Sequence, residues 1–467
     1  MRSILSTSSA VLALSLAPAV LAQLKVDIDK PDTLKAAAGV VVKSLVDDYT
    51  SQKPFVAGLL PSEYSFFESG VFFNTLMNYA AYTGDKTYNS LFEKDFFNQI
   101  GANADFIPAN KAATIANDDV GYWALAAISA AEFGAKPADS SSPSYLTLAD
   151  NAFNGFVRRW DDKTCGGGLR WTIVPSSTGY DFKDTNSNGA FFELAARLGA
   201  QTKNQTYLDW ANKVYDWTAK VGLLGTLDTN SVGQVFAGAS VKDKCQQIDE
   251  SFYSAQQANY MYGAAAMFKA TLSITWKERL ASLVSYSAVT YFGPQQYVDD
   301  GKSQVVTEAG CEYENKCTVD QKAGKAILFR SLGYALEYDS LGLLMTVQIN
   351  NSARAAAKSC NSDGDCAFKW TDFEYDVTKG TGAGEKMAAI ESFLAVVRRT
   401  DNKPVTGAFS SDEKTESPST TETSSPASQT SADAEVSASK VPNSGSRLTA
   451  GSILGGAVLV SLLHLIL

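Results

Sequence analysis

Two adjacent carboxylates, Asp118 and Asp119, stand at the start of an apolar helical pattern, and Tyr122 and Trp123 follow within one turn. A pair of carboxyl groups beside aromatic rings suits chemistry on a sugar. One group can donate a proton while the other attacks the sugar or stabilises positive charge. The same residues, with Asn117, also suit an N-cap and an acidic first turn, which favour the helix dipole. The local sequence leaves both interpretations open.

Catalysis by histidine is excluded if the C-terminus is processed, because the single histidine, His464, lies in the last apolar run of the chain. Without it, Ser-His-Asp and Cys-His catalysis and most zinc sites are excluded. Catalysis would then rest on Asp and Glu, and we expect no metal and no cofactor. The formal net charge of −10 and the pI near 4.9 make nucleic acid and anionic lipid poor partners.

Both ends of the chain look like processing signals. Residues 1–22 combine a positive charge, an apolar run and a small-residue step, which predicts a secretory signal peptide. Residues 444–467 follow small residues and end in an uncharged apolar run, which predicts a GPI-attachment propeptide with Asn443 as the attachment residue. The alternative is a transmembrane helix, since the run is long enough to span. We favour GPI because no Lys or Arg follows the run, and we expect a secreted chain held at the outer face of the plasma membrane.

Six cysteines in a secreted chain predict disulfides. Sequence alone allows many connectivities. Pairing within short loops is preferred, which leaves the two remaining cysteines for each other and gives Cys311–Cys317, Cys360–Cys366 and Cys165–Cys245. Sequons at Asn204 and Asn350 predict surface N-glycosylation.

Residues 406–443 are rich in Ser, Thr, Pro and acids, and predict an O-glycosylated stalk that does not fold. The folded part is therefore 23–405, and its hydrophobic period is helical almost throughout. Helices are expected at roughly 32–51, 64–83, 87–101, 117–134, 143–160, 187–200, 204–222, 252–271, 275–291, 319–338, 340–357 and 384–399. Twelve helices in sequence predict six helical hairpins closed into an all-α (α/α)6 barrel. The alternative is an open solenoid, but no strict repeat supports it.

Several side chains outside the pair have both a functional and a structural interpretation. Trp123 and Trp171 could stack on sugar faces or fill the core. Arg170, which follows a glycine run, could orient a catalytic Asp or hold an acidic partner. Glu68 and Glu308 could line the cleft or lie on the surface. Two long segments, 225–249 and 293–317, are long enough to suggest that they build part of a site.

A set of motifs, in order over nearly all of residues 60–395, resembles glycoside hydrolase family 76, the endo-α-1,6-mannanases, and within it the GPI-anchored cell-wall members of fungi. The matching stretches are Phe67-Glu68-Ser69-Gly70, Tyr82-Thr83-Gly84-Asp85, Asn117-Asp118-Asp119 with Trp123, Cys165–Trp171, Asn188–Phe192 with Leu194–Leu198, Tyr262–Ala265, Glu308 with Cys311-Glu312, and Gly382–Ile390. Each motif alone is weak, whereas their order is specific.

The resemblance implies an (α/α)6 barrel and a retaining mechanism on α-1,6-linked mannose, with Asp118 as nucleophile and Asp119 as general acid/base. It implies α-1,6-mannan or GPI-glycan mannose as substrate, a β-glucan acceptor in a transglycosidase reaction that links GPI-anchored glycoproteins to wall glucan, and a location at the cell wall. The expected substrate-binding residues are Trp123, Arg170, Trp171, Glu68, Asn188, Gln256 and Glu308.

The sequence departs from the family at Ala255-Gln256, where a Tyr-Asn step is usual. Gln256 can still donate and accept hydrogen bonds, but the tyrosine ring is lost. This departure motivates a second hypothesis, a non-catalytic mannan-binding or structural cell-wall protein on the same barrel. The retained Asp pair argues against it, because a binding protein needs no such pair.

Overall fold

The structure, a computed structural model, describes residues 22–225, 232–293, 303–336, 345–379, 381–401, 403–405 and 408–409. The predicted signal peptide up to residue 21, almost all of the stalk, Asn443 and the predicted propeptide lie outside these residues. None of the helices in the described ranges is both long and apolar enough to cross a membrane.

The described chain is largely helical. The helices are α1 Pro31–Ser51, α2 Phe66–Thr83, α3 Asn89–Asp95, α4 Asn117–Glu132, α5 Tyr145–Arg159, α6 Thr185–Thr202, α7 Gln205–Val221, α8 Ser254–Thr271, α9 Ile274–Thr290, α10 Val319–Lys322, α11 Gly324–Ala335, α12 Thr346–Lys358 and α13 Ala383–Asp401.

Six helices form an inner ring in the order α2, α4, α6, α8, α11 and α13, and α13 packs against α2 to close it. The outer helices lie against them: α1 on α13, α3 on α2, α5 on α4, α7 on α6, α9 on α8 and α12 on α13. Nearly every residue of the inner helices is buried. The predicted all-α (α/α)6 barrel is therefore confirmed.

Glycines let the inner helices approach one another closely. A Cβ on Gly70 of α2 would lie 2.9 Å from backbone atoms of α4. A Cβ on Gly121 of α4 would lie 2.6 Å from the Cβ of Ala190 in α6. Both contacts are shorter than van der Waals packing allows, so a larger residue would push the ring apart.

Local signals set the helix ends. α2 begins with a capping box between Ser65 and Glu68 and ends at Gly84, which adopts a left-handed conformation. Asp184 is the N-cap of α6, and its side chain accepts the N–H of Ser187. The helix therefore begins slightly before the predicted start at residue 187. The predicted helix at 87–101 is shorter, because α3 gives way to a 3-10 turn at Phe96–Gln99.

A small antiparallel sheet interrupts the helical pattern at the start of α6. Its strands are β1 Phe182–Asp184, β2 Gly238–Ser240 and β3 Ile248–Asp249, in the order β1-β2-β3. Lys183 pairs with Ala239, and Ala239 pairs with Ile248. The sheet leads directly into α6 and so fixes the position of that helix's first turn.

The three predicted disulfides are confirmed. The structure pairs Cys165 with Cys245, Cys311 with Cys317, and Cys360 with Cys366. The first ties the glycine-rich loop that precedes Trp171 to the segment between β2 and β3.

Candidate active site

A cavity of about 460 Å³ opens at the end of the barrel where α4, α6, α8 and α10 begin. Because the inner helices run parallel, polar residues of their first turns meet here. We call it the Asp118 cavity. It is lined by Phe67, Asp118, Tyr122, Trp171, Thr178, Gly179, Phe182, Asp184, Asn186, Ala237, Tyr253, Ala255, Gln256, Asp320, Gln321 and Gly324.

Asp118 lines this cavity and is bonded to Trp171. The indole Nε1 of Trp171 donates to Oδ1 and Oδ2 of Asp118 at 3.1 and 3.2 Å. Oδ1 also accepts the backbone N–H of Asp119 at 3.0 Å. Hydrogen bonds from neutral donors favour the ionised carboxylate and fix its orientation.

Asp119 caps the helix. Its Oδ2 accepts the N–H of the N-cap residue Ala116 at 2.9 Å at the start of α4. Its Oδ1 accepts the N–H of Phe67 at 3.0 Å, in the first turn of α2. The functional and capping interpretations are therefore compatible, since Asp119 caps α4 while its neighbour Asp118 lines the cavity. Asn117 instead donates to the carbonyl of Arg170 at 2.8 Å.

The environment raises the pKa of both carboxyl groups. Burial raises the pKa of Asp119 to about 6, although its two backbone hydrogen bonds act in the opposite direction. Burial, and then repulsion by Asp119 and Asp184, raises the pKa of Asp118 well above its ordinary value. Two interacting carboxyls lose their protons in two separate steps. Above a first step near pH 6 the pair holds a single proton, so an acid and a carboxylate stand side by side.

Trp171 is held at Asp118 by the loop that carries it. Its backbone N–H donates to the carbonyl of Phe182 at 2.7 Å, and its own carbonyl accepts the N–H of Asn117 at 2.8 Å. Its ring lies against Gly179, where a Cβ would be 2.3 Å from the ring. The side chain is 39% exposed. The structure therefore places Trp171 where it contacts both Asp118 and the open cavity.

A buried lysine holds the preceding glycine run. Lys183 Nζ donates to the carbonyls of Asp161 and Thr164 at 3.1 and 2.8 Å and to that of Gly167. Burial lowers the pKa of Lys183 to about 8. These bonds shape the loop from the inside, so that it presents Trp171 at the rim.

Trp123 is a core residue, and its expected contact with substrate is wrong. It is fully buried, stacks on Phe66 and Phe106, and donates from Nε1 to the carbonyl of Phe66 at 3.0 Å. An indole on the inner helix of a closed barrel packs between its neighbours rather than facing the open end.

Arg170 and Asn188 are structural, and neither lines the cavity. Arg170 pairs with Asp161 at 3.0 Å and donates to the carbonyl of Tyr180 at 2.9 Å, so it holds an acidic partner and does not orient the Asp pair. Asn188 is buried. Its Oδ1 accepts the N–H of Leu169 at 2.8 Å, and its Nδ2 donates to the carbonyl of Leu169 at 3.0 Å. Both residues fix the loop that bears Trp171.

Glu68 and Glu308 are buried, neither in the cleft nor on the surface. Glu68 Oε2 accepts the N–H of Ser65 at 2.8 Å, and burial raises its pKa to about 9. Glu308 Oε1 accepts the N–H of Ser254 at 2.8 Å, and burial raises its pKa to about 7. Each stabilises the start of an inner helix, and the expected substrate contact is wrong for both.

Gln256 and Ala255 do line the cavity. Gln256 Oε1 accepts the N–H of the N-cap residue Tyr253 at 3.0 Å and so caps the start of α8. The departure from the family pattern therefore falls on the cavity wall. Of the two long segments expected to build part of a site, 225–249 contributes Ala237 to the cavity wall. Parts of both segments, residues 226–231 and 294–302, lie outside the described residues.

Sequence reasoning missed Asp184, Asn186 and Asp320 as cavity residues, and it named Tyr122 only as an aromatic neighbour of the Asp pair. Asp184 is 7% exposed, and burial raises its pKa to about 6. The hydroxyl of Tyr122 accepts from Asn259 Nδ2 at 3.2 Å. One signal could have found Asp184, Asn186 and Asp320. Asp184 and Asn186 lie at the start of α6 and Asp320 lies in α10, and in a barrel with parallel inner helices the helix starts meet at one end.

The two sequons differ in exposure. Asn204 is exposed at the start of α7, as expected for glycosylation. Asn350 is buried within α12, and its Oδ1 accepts from Arg399 at 2.9 Å. The expected surface position is therefore wrong for Asn350.

Known proteins resemble this chain in sequence. The sequence model of Glycosyl hydrolase family 76 matches residues 33–408. The mannan endo-1,6-alpha-mannosidase DCW1 of Candida glabrata is 35% identical over 374 residues, which is 79% of this chain and 80% of the relative. The protein of the same name in Saccharomyces cerevisiae is 34% identical over 386 residues, which is 81% of this chain and 82% of the relative.

Solved structures share the fold. Dfg5 from Chaetomium thermophilum, in complex with glucosamine, matches with a TM-score of 0.73 at 29% identity and covers 83% of this chain and 98% of that one. The GH76A α-1,6-mannanase of Salegentibacter sp. HEL1_6 matches with a TM-score of 0.61 at 16% identity and covers 78% of this chain and 98% of that one. At this identity it supports the fold alone. With a family match over most of its length and two relatives above 30% identity, this chain belongs to glycosyl hydrolase family 76 and is a glycoside hydrolase.

Proposed function

We propose that this chain acts on α-1,6-mannosyl linkages as a mannan endo-1,6-α-mannosidase, with a retaining two-carboxylate mechanism. The observation that carries the proposal is the Asp118–Asp119 pair in the first turn of α4, with Asp118 on the cavity wall and bonded to Trp171. The names of the relatives above 30% identity support the choice of substrate.

The first step starts from the form of the pair in which the shared proton lies on Asp119, and an oxygen of the Asp118 carboxylate attacks C1 of the mannosyl unit. The bond from C1 to the glycosidic oxygen breaks, and that oxygen takes the proton of Asp119. The product is a mannosyl ester on Asp118 and an ionised Asp119. Asp119 then takes the proton of an incoming hydroxyl, whose oxygen bonds to C1 and releases Asp118 as a carboxylate.

The incoming hydroxyl decides between hydrolysis and transfer. We propose transfer, with GPI-glycan mannose of a client protein as donor and β-glucan of the cell wall as acceptor. The predicted GPI anchor supports this, because an enzyme tethered at the outer face of the plasma membrane meets both partners at high local concentration. A glucan hydroxyl then competes with water for the same ester.

Substitution of each aspartate tests the activity. Purified protein without residues 1–22 and the C-terminal tail should cleave or transfer α-1,6-mannooligosaccharides, and Asp118→Asn and Asp119→Asn should each remove most of this activity. A labelled α-1,6-mannoside with a β-glucan oligosaccharide should give a mixed product. If mannosides were the only product at every acceptor concentration, the chain would be a hydrolase. Binding without turnover, unaltered in both variants, would instead support the non-catalytic hypothesis.

Reaction with azide distinguishes the nucleophile from the general acid/base within the Asp118–Asp119 pair. In Asp118→Ala, azide replaces the nucleophile and attacks the α-mannoside directly, so we expect a β-mannosyl azide. In Asp119→Ala, the ester on Asp118 still forms from a donor with a good leaving group, and azide then gives an α-mannosyl azide. The opposite pattern, read by proton NMR, would reverse the two assignments.

A further inference from the structure

The wall of the Asp118 cavity is rich in hydrogen-bond acceptors. Asp118, Asp184 and Asp320 contribute carboxyl groups to it, and no Lys or Arg is among the described residues that line it. The indole N–H of Trp171, which also lines the wall, is already bonded to Asp118. A sugar hydroxyl both donates and accepts hydrogen bonds, and carboxylates satisfy only its donor side. A sugar held in this cavity therefore also needs donors on the wall.

Amide side chains can supply such donors, and those on the wall belong to Asn186, Gln256 and Gln321. Gln256 lies in α8 and Gln321 in α10, whereas Asn186 lies in the first turn of α6, the helix next to α4 in the inner ring. Asp118 and Tyr122 are four residues apart in α4 and so share one face of that helix. The hydroxyl of Tyr122 donates to Asn186 Oδ1 at 3.4 Å. Asn186 thus contacts the helix face that bears Asp118.

A chain of hydrogen bonds orients the amide of Asn186. Asn259, which is fully buried in α8, donates from Nδ2 to the Tyr122 hydroxyl at 3.2 Å. That hydroxyl has a single proton, which it gives to Asn186 Oδ1. The oxygen of the Asn186 amide is therefore engaged, while its Nδ2 has no hydrogen-bond partner within the described ranges. Because the side chain is half-buried on the cavity wall, its N–H groups remain for a ligand.

Asp184, two residues earlier, already serves the fold. It is 7% exposed, and its Oδ2 accepts the N–H of Ser187 at 2.8 Å as the N-cap of α6. Asn186 follows the cap, so the helix start is satisfied without it. A polar side chain that the helix does not require, held by a buried chain of hydrogen bonds beside Asp118, is suited to contact the substrate.

We propose that Asn186 is a specificity-determining residue whose Nδ2 donates to a hydroxyl of the mannosyl unit that becomes bonded to Asp118, which rests on the proposed mannosidase function. In an α-1,6-linked chain, O1 and O6 of an internal unit take part in linkages, so the hydroxyls on C2, C3 and C4 remain for recognition. One of these accepts from Asn186 and can donate in turn to a carboxylate of the wall. An epimer at that carbon directs its hydroxyl elsewhere and loses the bond.

Substrates that lack one hydroxyl identify the contact. The donors are aryl α-1,6-mannobiosides deoxygenated at C2, C3 or C4 of the unit that carries the aryl group, which is the unit transferred to Asp118. We expect Asn186→Ala to lower kcat/KM on the complete substrate roughly tenfold. On the deoxy substrate that lacks the contacted hydroxyl, the variant and the unmodified protein should have the same kcat/KM, because the bond is already absent.

The matched control is Asn154→Ala, at a half-buried asparagine of the outer helix α5 that does not line the Asp118 cavity. It should leave kcat/KM unchanged on every substrate. Thermal unfolding checks the fold of each variant, and Asn186→Leu, which retains the side-chain volume, serves if Asn186→Ala does not fold. Unchanged kcat/KM in the Asn186 variant would overturn the proposal. So would an equal loss on all substrates, because Asn186 would then only support the wall.

Calorimetry gives a readout that does not depend on turnover. We expect α-1,6-mannotriose to bind the Asp118→Asn protein roughly tenfold more tightly than the same protein with Asn186→Ala added. If the unmodified protein cleaved no mannoside, the proposed function would be contradicted and this titration alone would decide the role of Asn186. Weaker binding in the double variant would then support the assignment, whereas equal binding, or no binding to either protein, would overturn it.

Discussion

The proton held by Asp118 and Asp119 sets the pH dependence of the reaction. We expect kcat/KM to rise as the pH increases through about 6, where the pair loses its first proton and gains a carboxylate nucleophile. It should fall at higher pH, where the remaining acid is lost. Initial rates on an α-1,6-mannooligosaccharide across the pH range measure this. A kcat/KM that declines through pH 6 would show that the first proton to leave is the one catalysis needs.

Trp171 is expected to matter through its N–H rather than its bulk. Trp171→Phe keeps a ring but removes the donor that contacts both oxygens of Asp118. Hydrogen bonds to charged groups contribute about 1.5–3 kcal/mol, so kcat should fall by roughly tenfold to a hundredfold. The same bond lowers the pKa of Asp118, so the pH profile of the variant should also move to higher pH.

Trp210→Phe is the matched control, at a partly buried tryptophan of α7 that does not line the Asp118 cavity. It should leave the pH profile where it is. A ring that served only to stack on sugar would be replaced well by phenylalanine, so wild-type kcat and pH profile in Trp171→Phe would contradict the role of the N–H.

Individual residues show what sequence could not decide. Arg170, Asn188 and Glu308 are of types that bind sugars, but each is satisfied by backbone or an ion pair inside the fold. Nothing in local spacing tells whether a polar side chain will be satisfied by its own chain or left for a ligand. The Asp pair was singled out by its place among the family motifs, because the local sequence fitted a helix cap equally well.

At the level of helices, only Asp119 of the pair caps the first turn of α4, in addition to its proposed role as acid and base. Asp119→Ala removes the acceptor of two backbone N–H groups and should reduce the free energy of unfolding by about 1–2 kcal/mol. Asp118 accepts no hydrogen bond from the backbone of a residue distant in the chain. Asp118→Ala also relieves its repulsion with Asp119 and Asp184, so it should leave stability nearly unchanged. Urea unfolding of the two variants measures the difference, and equal losses would contradict this division.

Helix positions followed well from the apolar period, because inner helices are buried on almost all sides and outer helices on one. The small sheet at the start of α6 did not follow. Its strands are only two or three residues long, which is too short for an alternating pattern to show. The pairing of β1 with β2 joins Lys183 to Ala239, far apart in the chain, and no local signal specifies such pairing.

Over the whole molecule, buried carboxyl groups should make stability fall as the pH rises. Burial raises the pKa of Glu68 to about 9, of Glu193 and Glu308 to about 7, and of Asp119 and Asp184 to about 6. The folded chain therefore keeps protons that the unfolded chain has released, so unfolding is favoured with increasing pH. We expect the Tm to decrease between about pH 5 and pH 9.

Glu68→Gln tests the source of this slope, because glutamine keeps an acceptor for Ser65 but cannot ionise. The decrease in Tm from pH 6 to 9 should become shallower. Glu63→Gln, at an exposed glutamate in the preceding turn, should retain the original slope. Identical slopes in all three proteins would assign the effect to other groups.

The prediction of a closed barrel rested on the number of helices and on the lack of a repeat, and closure itself is a long-range property. It depends on α13 packing against both α11 and α2, and on α1 packing against α13. The apolar faces of these helices were evident in the sequence. Which partner each face meets was not, because any apolar stripe can pack on any other.

That closure constrains the synthesis of the chain. The first helix to leave the ribosome, α1, packs on the last inner helix to be made, so its apolar face has no native partner until nearly the entire barrel has been translated. Completion of the fold therefore waits until α13 has left the ribosome. During that interval the nascent chain depends on chaperones of its compartment, and a stop codon anywhere before α13 leaves an open ring with two exposed apolar edges, a substrate for quality control rather than a shorter enzyme.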